Sequence, residues 1–391
     1  MTRRTKKNGI AISILSLFWI LLVGISFAKD PIVIGHVTDL TGTSAMEGPY
    51  FSAAIELAVE EYGGEIAGRE IKVIHEDGGS NPTLSVDKAR KLVEKDKASV
   101  IIGPINAGAA SPISGYLKRS GVPHVVMELP PPLFEKNGHV FAHQGTQSGS
   151  GYLMGKYVAE DLGYKTATVI HDDVIFAEEF LNGAIKAFEE AGGKIIQRQR
   201  TPMNTMDYGP YLSGMKKADV CLFWFVPPHS INFIKSYKEY GFEMPLVLAG
   251  LNIITNHFFE ALGKDTLGIT ALSYNDPSID TPEVKAWVKK WQEKFADKKE
   301  ISHPAMGMTC AWYVQAKLAL EAIKATGGDT SPDALKKALY NMKLDTPWGP
   351  VSFKDNGIGI GNAYILQVAE IDGKIGFKQV KKYENIVRTV E

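Results

Sequence analysis

Residues 68–104 have the sequence GREIKVIHEDGGSNPTLSVDKARKLVEKDKASVIIGP, which contains one strand–turn–helix–strand unit. The apolar run Ile71–Ile74 predicts a strand, Asp77–Pro82 predicts a turn, and a helix follows. Val100–Ile102 predicts the next strand, and the small residues of Gly103–Ser111 lead into another helix. The stretch therefore indicates alternating strands and helices.

The same alternation extends on both sides of this stretch. Ile32–Val37 is a short apolar run, and a helix with apolar residues at helical spacing starts near Ala53 and ends at Gly63-Gly64. Val122–Met127 predicts a fourth strand. Four β–α units in succession predict a parallel sheet covered by helices.

A second α/β half follows a loop rich in Gly, Ser, Gln and His. Thr166–His171 predicts a strand, and Phe176, Phe180 and Phe188 then recur along one face of a helix. Further strands are predicted at Lys194–Gln197, Asp219–Phe225 and Leu246–Leu248. The chain therefore contains two similar α/β halves.

The last third of the chain departs from this alternation. Helices are predicted over 282–296, 304–326 and 332–343, and Val351 to about Val380 is β-rich. Within that β-rich part, turns are predicted at Gly357, Gly359, Gly361 and Gly373.

Length and charge restrict the class of protein. A chain of 391 residues is long enough for two or three domains. Residues 1–28 contain four basic residues and no acid, so the rest has 39 basic and 44 acidic residues. This balance lacks the basic surface that nucleic-acid binding needs, so we expect no nucleic-acid partner.

The N-terminus has the features of a targeting segment. Four positive charges precede the apolar run Ile10–Phe27, and Ser26-Phe27-Ala28 places small residues at a cleavage site. We expect a signal peptide over residues 1–28, cleavage after Ala28 and a soluble periplasmic product. The alternative is an uncleaved anchor helix, since the apolar run is near the minimum length that spans a bilayer.

Common catalytic and cofactor motifs are absent from the sequence. It contains no GxxxxGK[ST], no GxGxxG after a strand, no HExxH and no GxSxG. His75-Glu76-Asp77 and His171-Asp172-Asp173 each close a strand, where solvated acids that cap a following helix are the favoured interpretation over metal ligands. We expect no enzyme activity, no catalytic residue, no cofactor and no metal site.

Two cysteines are too few for a disulfide scaffold. Cys221 and Cys310 lie in apolar stretches about 90 residues apart. Buried free thiols and a single disulfide bridge both remain open at this stage.

Three segments carry a resemblance to a known family. Residues 68–104 together with Ile32–Gly42 resemble the first lobe of bacterial periplasmic binding proteins of the leucine/isoleucine/valine-binding class, which serve ABC importers. ATVIHDDVIFAEEFLNGAIKAFEEAGGKII at 167–196 resembles the start of the second lobe, and TPWGPVSFKDNGIGIG at 346–361 resembles the last crossing between lobes. The likeness extends over residues 30–390.

The resemblance implies the type I periplasmic binding protein fold, which has two Rossmann-like α/β lobes with parallel sheets joined by three hinge crossings. Lobe 1 is expected at 29–146 plus 272–349, and lobe 2 at 147–271 plus 350–391. The crossings are expected near 144–148, 270–274 and 346–350. Ligands of open α/β sheets bind at the carboxyl ends of the strands, so a cleft between two such edges forms a closed site without catalysis.

The loops at these edges differ from those of amino-acid binders. Where the class has serine hydroxyls for the ligand carboxylate, this chain has Ala107 and Gly108, which leaves backbone amides at a helix start to hold an anion. Where the class has a threonine after the next strand, Glu128 is followed by Leu129 and three prolines. Gly250-Leu251-Asn252 lacks the acid that holds the ligand ammonium.

A set of ten residues is predicted to line the cleft: Glu47, Asn106, Ala107, Gly108, Glu128, His143, Gln147, Phe176, Trp224 and Asn252. Several have a structural alternative. Phe176 and Trp224 are also suited to the core, Glu47 to a solvated helix cap and His143 to a hydrogen bond in the hinge. A buried ammonium or carboxylate without a partner is costly, so these loops disfavour a free α-amino acid.

The sequence therefore predicts an extracytoplasmic solute-binding protein that delivers a small ligand to an ABC permease in the inner membrane. The expected ligand is an apolar or aromatic small molecule rather than free leucine, and the expected state is a monomer. One alternative is a binding protein that senses a ligand and reports to a separate membrane receptor. A periplasmic enzyme with scattered catalytic groups is the third hypothesis.

Overall fold

The computed structural model describes residues 29–42, 44–251, 256–304 and 307–390. The predicted signal peptide over residues 1–28 and the predicted ligand-binding residue Asn252 lie outside these ranges. No helix within them combines the length and the apolar character needed to span a bilayer. Cys221 and Cys310 are both buried and unbridged, so of the two states left open the free thiols are the one observed.

The first half of the described chain forms a six-stranded sheet of order β2-β3-β1-β4-β5-β6. All neighbouring pairs are parallel except β2 and β3. Its elements are β1 (Ile32–Thr38), α1 (Gly48–Glu60), β2 (Glu65–Ile66), β3 (Arg69–Asp77), α2 (Pro82–Glu94), β4 (Val100–Ile102), α3 (Ala107–Ser120), β5 (His124–Glu128) and β6 (Val140–Gly145). β1 is buried at every residue because helices cover both faces of the sheet.

The second sheet has the order β12-β13-β14-β11-β10-β9-β7-β8, with β15 paired to β14. Its strands are β7 (Thr166–Asp172), β8 (Lys194–Thr201), β9 (Val220–Trp224), β10 (Leu246–Leu251), β11 (Thr270–Ser273), β12 (Lys343–Thr346), β13 (Gly349–Phe353), β14 (Gly359–Ile371) and β15 (Lys374–Val387). The remaining helices are α4 (Gln147–Lys156), α5 (Ile175–Glu190), α6 (Gly209–Ser213), α7 (Pro227–Glu239), α8 (Asn256–Leu262), α9 (Pro282–Lys294), α10 (Gly307–Ala325) and α11 (Pro332–Tyr340).

Helix α10 returns from the second sheet to cover the first. Trp312 of α10 stacks on Phe51 of α1 with ring centroids 4.0 Å apart. Its indole Nε1 donates a hydrogen bond to Nε2 of His36 in β1 at 2.9 Å. The far side of His36 is also occupied, since its Nδ1 lies 2.8 Å from Nδ1 of His75. The chain therefore builds the first α/β unit from two separated segments.

Contacts between the crossings join the two sheets. Gln144 at the end of β6 donates a side-chain hydrogen bond to Asn275 after β11 at 2.9 Å. The amide of Ala142 in β6 donates to the carbonyl of Gly357 at 3.0 Å. Strand β12 pairs with β13 of the second sheet, although residues 343–346 fall in the range expected for lobe 1. The lobe boundaries stay a prediction.

The glycine-rich segment was predicted as a run of turns, and this was wrong for Gly359 and Gly361, which lie inside β14. A Cβ at Gly359 would lie 2.2 Å from the carbonyl oxygen of His143, so close approach of β6 requires glycine there. Gly357 and Gly373 are turns with φ of +86° and +76°. The predicted helix over 332–343 also ends early, because Lys343 begins β12.

Helices α4 and α5 of the second unit pack with their backbones in contact. A Cβ at Gly151 would lie 1.7 Å from the carbonyl oxygen of Phe180, and one at Gly183 would lie 2.0 Å from that of Ser148. A Cβ at Gly155 would lie 2.0 Å from the carbonyl oxygen of Ala184. Only glycine permits this separation, and the contact fixes the start of α5 relative to the first crossing.

Candidate functional site

The carboxyl ends of the parallel strands form two edges that carry most of the predicted site residues. The edge of the first sheet contains the loops after β1, β4 and β5, and the edge of the second contains the loops after β7, β8, β9 and β10. These are the positions at which open α/β sheets bind ligands.

Helix α3 begins at the first-sheet edge with its amide groups largely occupied. Asn106 is the N-cap, and its Oδ1 accepts the N–H of Gly108 at 2.8 Å. The amides of Ala109 and Ala110 donate to the carbonyl of Asn106. Ala107 is the first residue of the helix, and Gly108 is exposed. The expected anion site therefore has fewer amide donors to offer, because the amides of Gly108, Ala109 and Ala110 already have acceptors.

Glu128 ends β5 and is buried, with 8% of its surface exposed. Ser150 of α4 donates its hydroxyl to Oε1 of Glu128 at 2.5 Å, and the Tyr274 hydroxyl lies 3.0 Å from the same Ser150 oxygen. Burial raises the pKa of Glu128 to about 8, although the Ser150 bond and the charge of Arg388 act against it. A neutral, hydrogen-bonded carboxyl is a poor partner for a ligand ammonium.

His143 and Gln147 lie in the first crossing and are both buried. Nδ1 of His143 lies 3.0 Å from the carbonyl oxygen of Val126, and its own carbonyl accepts a hydrogen bond from Arg388. Burial lowers the pKa of His143 to about 3, so the ring is neutral. Gln147 is the first residue of α4. These contacts correspond to the hinge alternative for His143.

Glu47 is the N-cap residue of α1 and is half-buried. Its side chain makes no capping hydrogen bond, so the cap interpretation does not describe it. Its carbonyl accepts the amides of Tyr50 and Phe51 at 3.0 and 3.2 Å. Its position after β1 places it beside the first-sheet edge.

Phe176 lies in the first turn of α5 and contacts apolar residues of both sheets. It packs against the large core cluster, which extends through both sheets, and against a smaller cluster of the first sheet that includes Val126, Leu129 and Ala142. Its half-buried ring therefore joins α5 of the second unit to apolar residues of the first sheet. The neighbouring Ile175 is mostly exposed.

Trp224 ends β9 and stacks on Phe180 of α5, with ring centroids 6.1 Å apart and planes 18° from parallel. The next residue, Phe225, packs on the other side among Phe223, Phe233 and Tyr208. Trp224 is 8% exposed, and its buried Nε1 has no hydrogen-bond partner among the described residues. Trp224 thus packs against Phe180 in the core, and its indole N–H is a buried donor at the second-sheet edge.

Asp172 and His229 form a pair that the sequence analysis missed. Asp172 ends β7 and is fully buried, and its Oδ1 lies 2.9 Å from Nδ1 of His229 in α7. The amide of Val226 donates to Oδ2 at 2.9 Å, and the Thr201 hydroxyl lies 3.3 Å from Oδ1. Burial raises the pKa of Asp172, and the bonds from Val226 and His229 oppose this shift. Nothing in the sequence links residues 172 and 229, which are 57 positions apart.

The interpretation of the strand-end acids as solvated caps of the following helices was wrong. Asp172 is buried, and the N-cap of α5 is Val174, which has no side-chain cap. Asp77 accepts the amides of Leu40 and Gly79, whereas Asn81 caps α2. The described residues contain no group of three His, Cys, Asp or Glu side chains arranged to hold a metal ion.

Comparisons with known proteins agree with the fold. The model of the periplasmic binding protein family matches residues 31–374. The Leu/Ile/Val-binding protein homolog 6 of Brucella suis is 26% identical over 364 residues, which cover 91% of this chain and 92% of that protein. The predicted resemblance to the leucine/isoleucine/valine-binding class is confirmed.

Solved structures show the same architecture. An ABC-transporter solute-binding protein from Rhodopseudomonas palustris HaA2, in complex with p-hydroxybenzoic acid, is 25% identical with a TM-score of 0.82 and covers 91% of this chain and 98% of that one. LivJ from Streptococcus pneumoniae, in complex with isoleucine, is 21% identical with a TM-score of 0.77 and covers 90% and 99%. The chain therefore has the type I fold and belongs to the periplasmic binding protein family of ABC-transporter substrate-binding proteins.

Proposed function

We propose that this protein is a periplasmic solute-binding protein that captures an aromatic carboxylic acid between its two lobes and delivers it to an ABC permease in the inner membrane. The export by a cleaved signal peptide and the monomeric state are parts of this proposal. The observation that carries it is the position of Phe176, whose ring belongs to α5 of the second unit and packs on apolar residues of the first sheet. An aromatic ligand face is the natural partner of such a surface.

Two buried carboxyls near the edges argue against an amino acid as ligand. Asp172 already accepts hydrogen bonds from Val226 and His229, and Glu128 is held by Ser150. The segment after β10, residues 252–255, contains no acid in its sequence. An ammonium group that loses its hydration without a charged partner costs several kcal/mol, which disfavours leucine.

Two similar proteins point to different ligand classes. The Brucella suis relative is a Leu/Ile/Val-binding protein homolog by name, and the Rhodopseudomonas palustris protein was solved with p-hydroxybenzoic acid. The apolar contacts of Phe176 and the occupied carboxyls favour the second class for this chain.

Calorimetry on the exported protein tests the proposal with benzoate, the three monohydroxybenzoates and leucine. We expect micromolar or tighter binding of at least one aromatic acid, because its ring removes apolar area from water against Phe176. We expect no heat of binding with leucine. Micromolar binding of leucine and none of the aromatic acids would overturn the proposed ligand class.

A further inference from the structure

The Asp172–His229 pair has one nitrogen that the protein does not use. Nδ1 of His229 faces the Asp172 carboxylate, which also receives the Val226 amide and the Thr201 hydroxyl. A carboxylate with this many donors acts as an acceptor, so Nδ1 carries the proton. In the tautomer that carries its proton on Nδ1, Nε2 has a lone pair, and this atom makes no hydrogen bond within the described residues.

The pair lies at the second-sheet edge, where β7 and β9 end. Asp172 is one residue beyond His171, so its side chain is on the opposite face of the sheet from His171 and its register partner Trp224. His229 is in the first turn of α7, and Phe176 follows Asp172 by four residues. The helix begins with Pro227 and Pro228, which have no amide hydrogen, and the Ser230 hydroxyl donates to the Phe225 carbonyl. His229 is therefore the open polar side chain of this turn.

We propose that Nε2 of His229 accepts a hydrogen bond from a hydroxyl group on the ring of the ligand. This inference rests on the proposed function and narrows it to ring-hydroxylated aromatic acids. A ligand carboxylate has only acceptors, so it would meet the Nε2 lone pair with the Asp172 charge behind it, and both repel it. A phenolic hydroxyl supplies the missing donor, and its absence leaves Nε2 desolvated without a partner.

The test compares ligand pairs in calorimetry. The wild type should bind the best of the three monohydroxybenzoates at least about tenfold more tightly than benzoate. His229→Phe should remove that preference, so that the affinity ratio falls to within about twofold of one. His229→Gln retains an acceptor and should keep part of the preference.

His139→Gln is the matched control, because His139 is a partly buried histidine with one hydrogen bond at the opposite edge of the first sheet. It should leave both affinities unchanged. A His229→Phe protein with an unchanged ratio, or with equal loss of both ligands, would overturn the role of His229 and leave the proposed function intact. A wild type that binds leucine and none of the aromatic acids would overturn the proposed function and this inference with it.

Discussion

The two strand edges differ in how their polar groups are used. At the first-sheet edge the acids are satisfied by the protein itself: Asp39 by Ser80, Asp77 by neighbouring loop amides and Glu128 by Ser150. At the second-sheet edge the buried Asp172 orients His229, and neither Nε2 of His229 nor Nε1 of Trp224 has a hydrogen-bond partner among the described residues. Acids that are bonded within the protein form a rigid support, whereas polar groups without a protein partner can discriminate between ligands.

The largest effect is expected from the buried carboxyl of the first-sheet edge. Glu128→Gln imitates the neutral acid, so it removes a group whose pKa is raised to about 8 when folded. Between about pH 4.5 and pH 8 the unfolded wild type has lost this proton and the folded one has kept it, so wild-type stability falls as pH rises. The free energy of unfolding of the wild type should fall by roughly 5 kcal/mol relative to the variant over this window and then level off.

Urea unfolding at several pH values measures this difference. Glu135→Gln is the control, since Glu135 is an exposed acid paired with Lys118 and its pKa is lowered by that pair. It should show no such slope above pH 5. A constant difference between the Glu128→Gln variant and the wild type would mean that Glu128 is ionised in the folded protein.

The rigid packing of the second unit predicts the next effect. Gly151→Ala places a methyl group against the Phe180 carbonyl, so α4 and α5 must separate. We expect a loss of about 3 kcal/mol in unfolding free energy by urea titration. Gly115→Ala, on the exposed face of α3 with nothing near its Cβ, should instead stabilise by about 0.5–1 kcal/mol. Equal effects would show that the helix contact is not tight.

The hydrogen bonds that Asp77 accepts at the first-sheet edge predict a smaller effect. Asp77 is partly desolvated, but hydrogen bonds from Thr41 and from the amides of Gly79, Leu40 and Thr41 lower its pKa. Asp77→Asn should cost about 2 kcal/mol at pH 7. Because the folded pKa is depressed, this contribution is present above the unfolded pKa and is lost as pH falls through the folded value.

Chemical denaturation at pH 7 and pH 3 checks this sign. Asp87→Asn removes an exposed acid whose partner is Arg90 one helical turn away, and it should cost less than about 0.5 kcal/mol at either pH. If the difference in unfolding free energy between the wild type and Asp77→Asn were larger at pH 3 than at pH 7, the lowered pKa of folded Asp77 would be contradicted.

The shared aromatic contact predicts the smallest effect and acts on binding. Phe176→Ala removes the ring that joins α5 to the apolar residues of the first sheet, so affinity for the preferred aromatic acid should fall about tenfold in calorimetry. Ile175→Ala, at the exposed neighbour, should change it by less than about twofold. If the two variants bind equally, the ligand does not contact Phe176.

The sequence was sufficient for the alternation of strands and helices and for the family, because apolar periodicity reports which faces are buried. The sequence was not sufficient to predict the burial and the hydrogen-bond partners of individual acids. Asp77 and Asp172 belong to similar His-containing triplets, yet one binds loop amides and the other holds His229 from a distant helix. Such partners depend on tertiary distance, which a linear pattern does not contain.

The role of individual glycines also could not be predicted from the sequence, because it depends on contacts between distant segments. Gly359 and Gly361 have the local composition of a turn, but they lie in a strand. Glycine is needed there because another chain segment passes too close for a Cβ. Gly151, Gly155 and Gly183 were not distinguished from other helix glycines, since their role exists only when α4 and α5 meet.

The return of α10 to the first sheet has a kinetic consequence. The bond from Trp312 to His36 joins residues 276 positions apart, so this part of the core closes only after a very large loop has been ordered. A growing chain that has produced all six strands of the first sheet still lacks the helix that seals them. In a refolding experiment followed by pulsed hydrogen exchange, the amides of β1 and α10 should therefore become protected together and late, and early protection of β1 alone would show that the first sheet is stable without its cover.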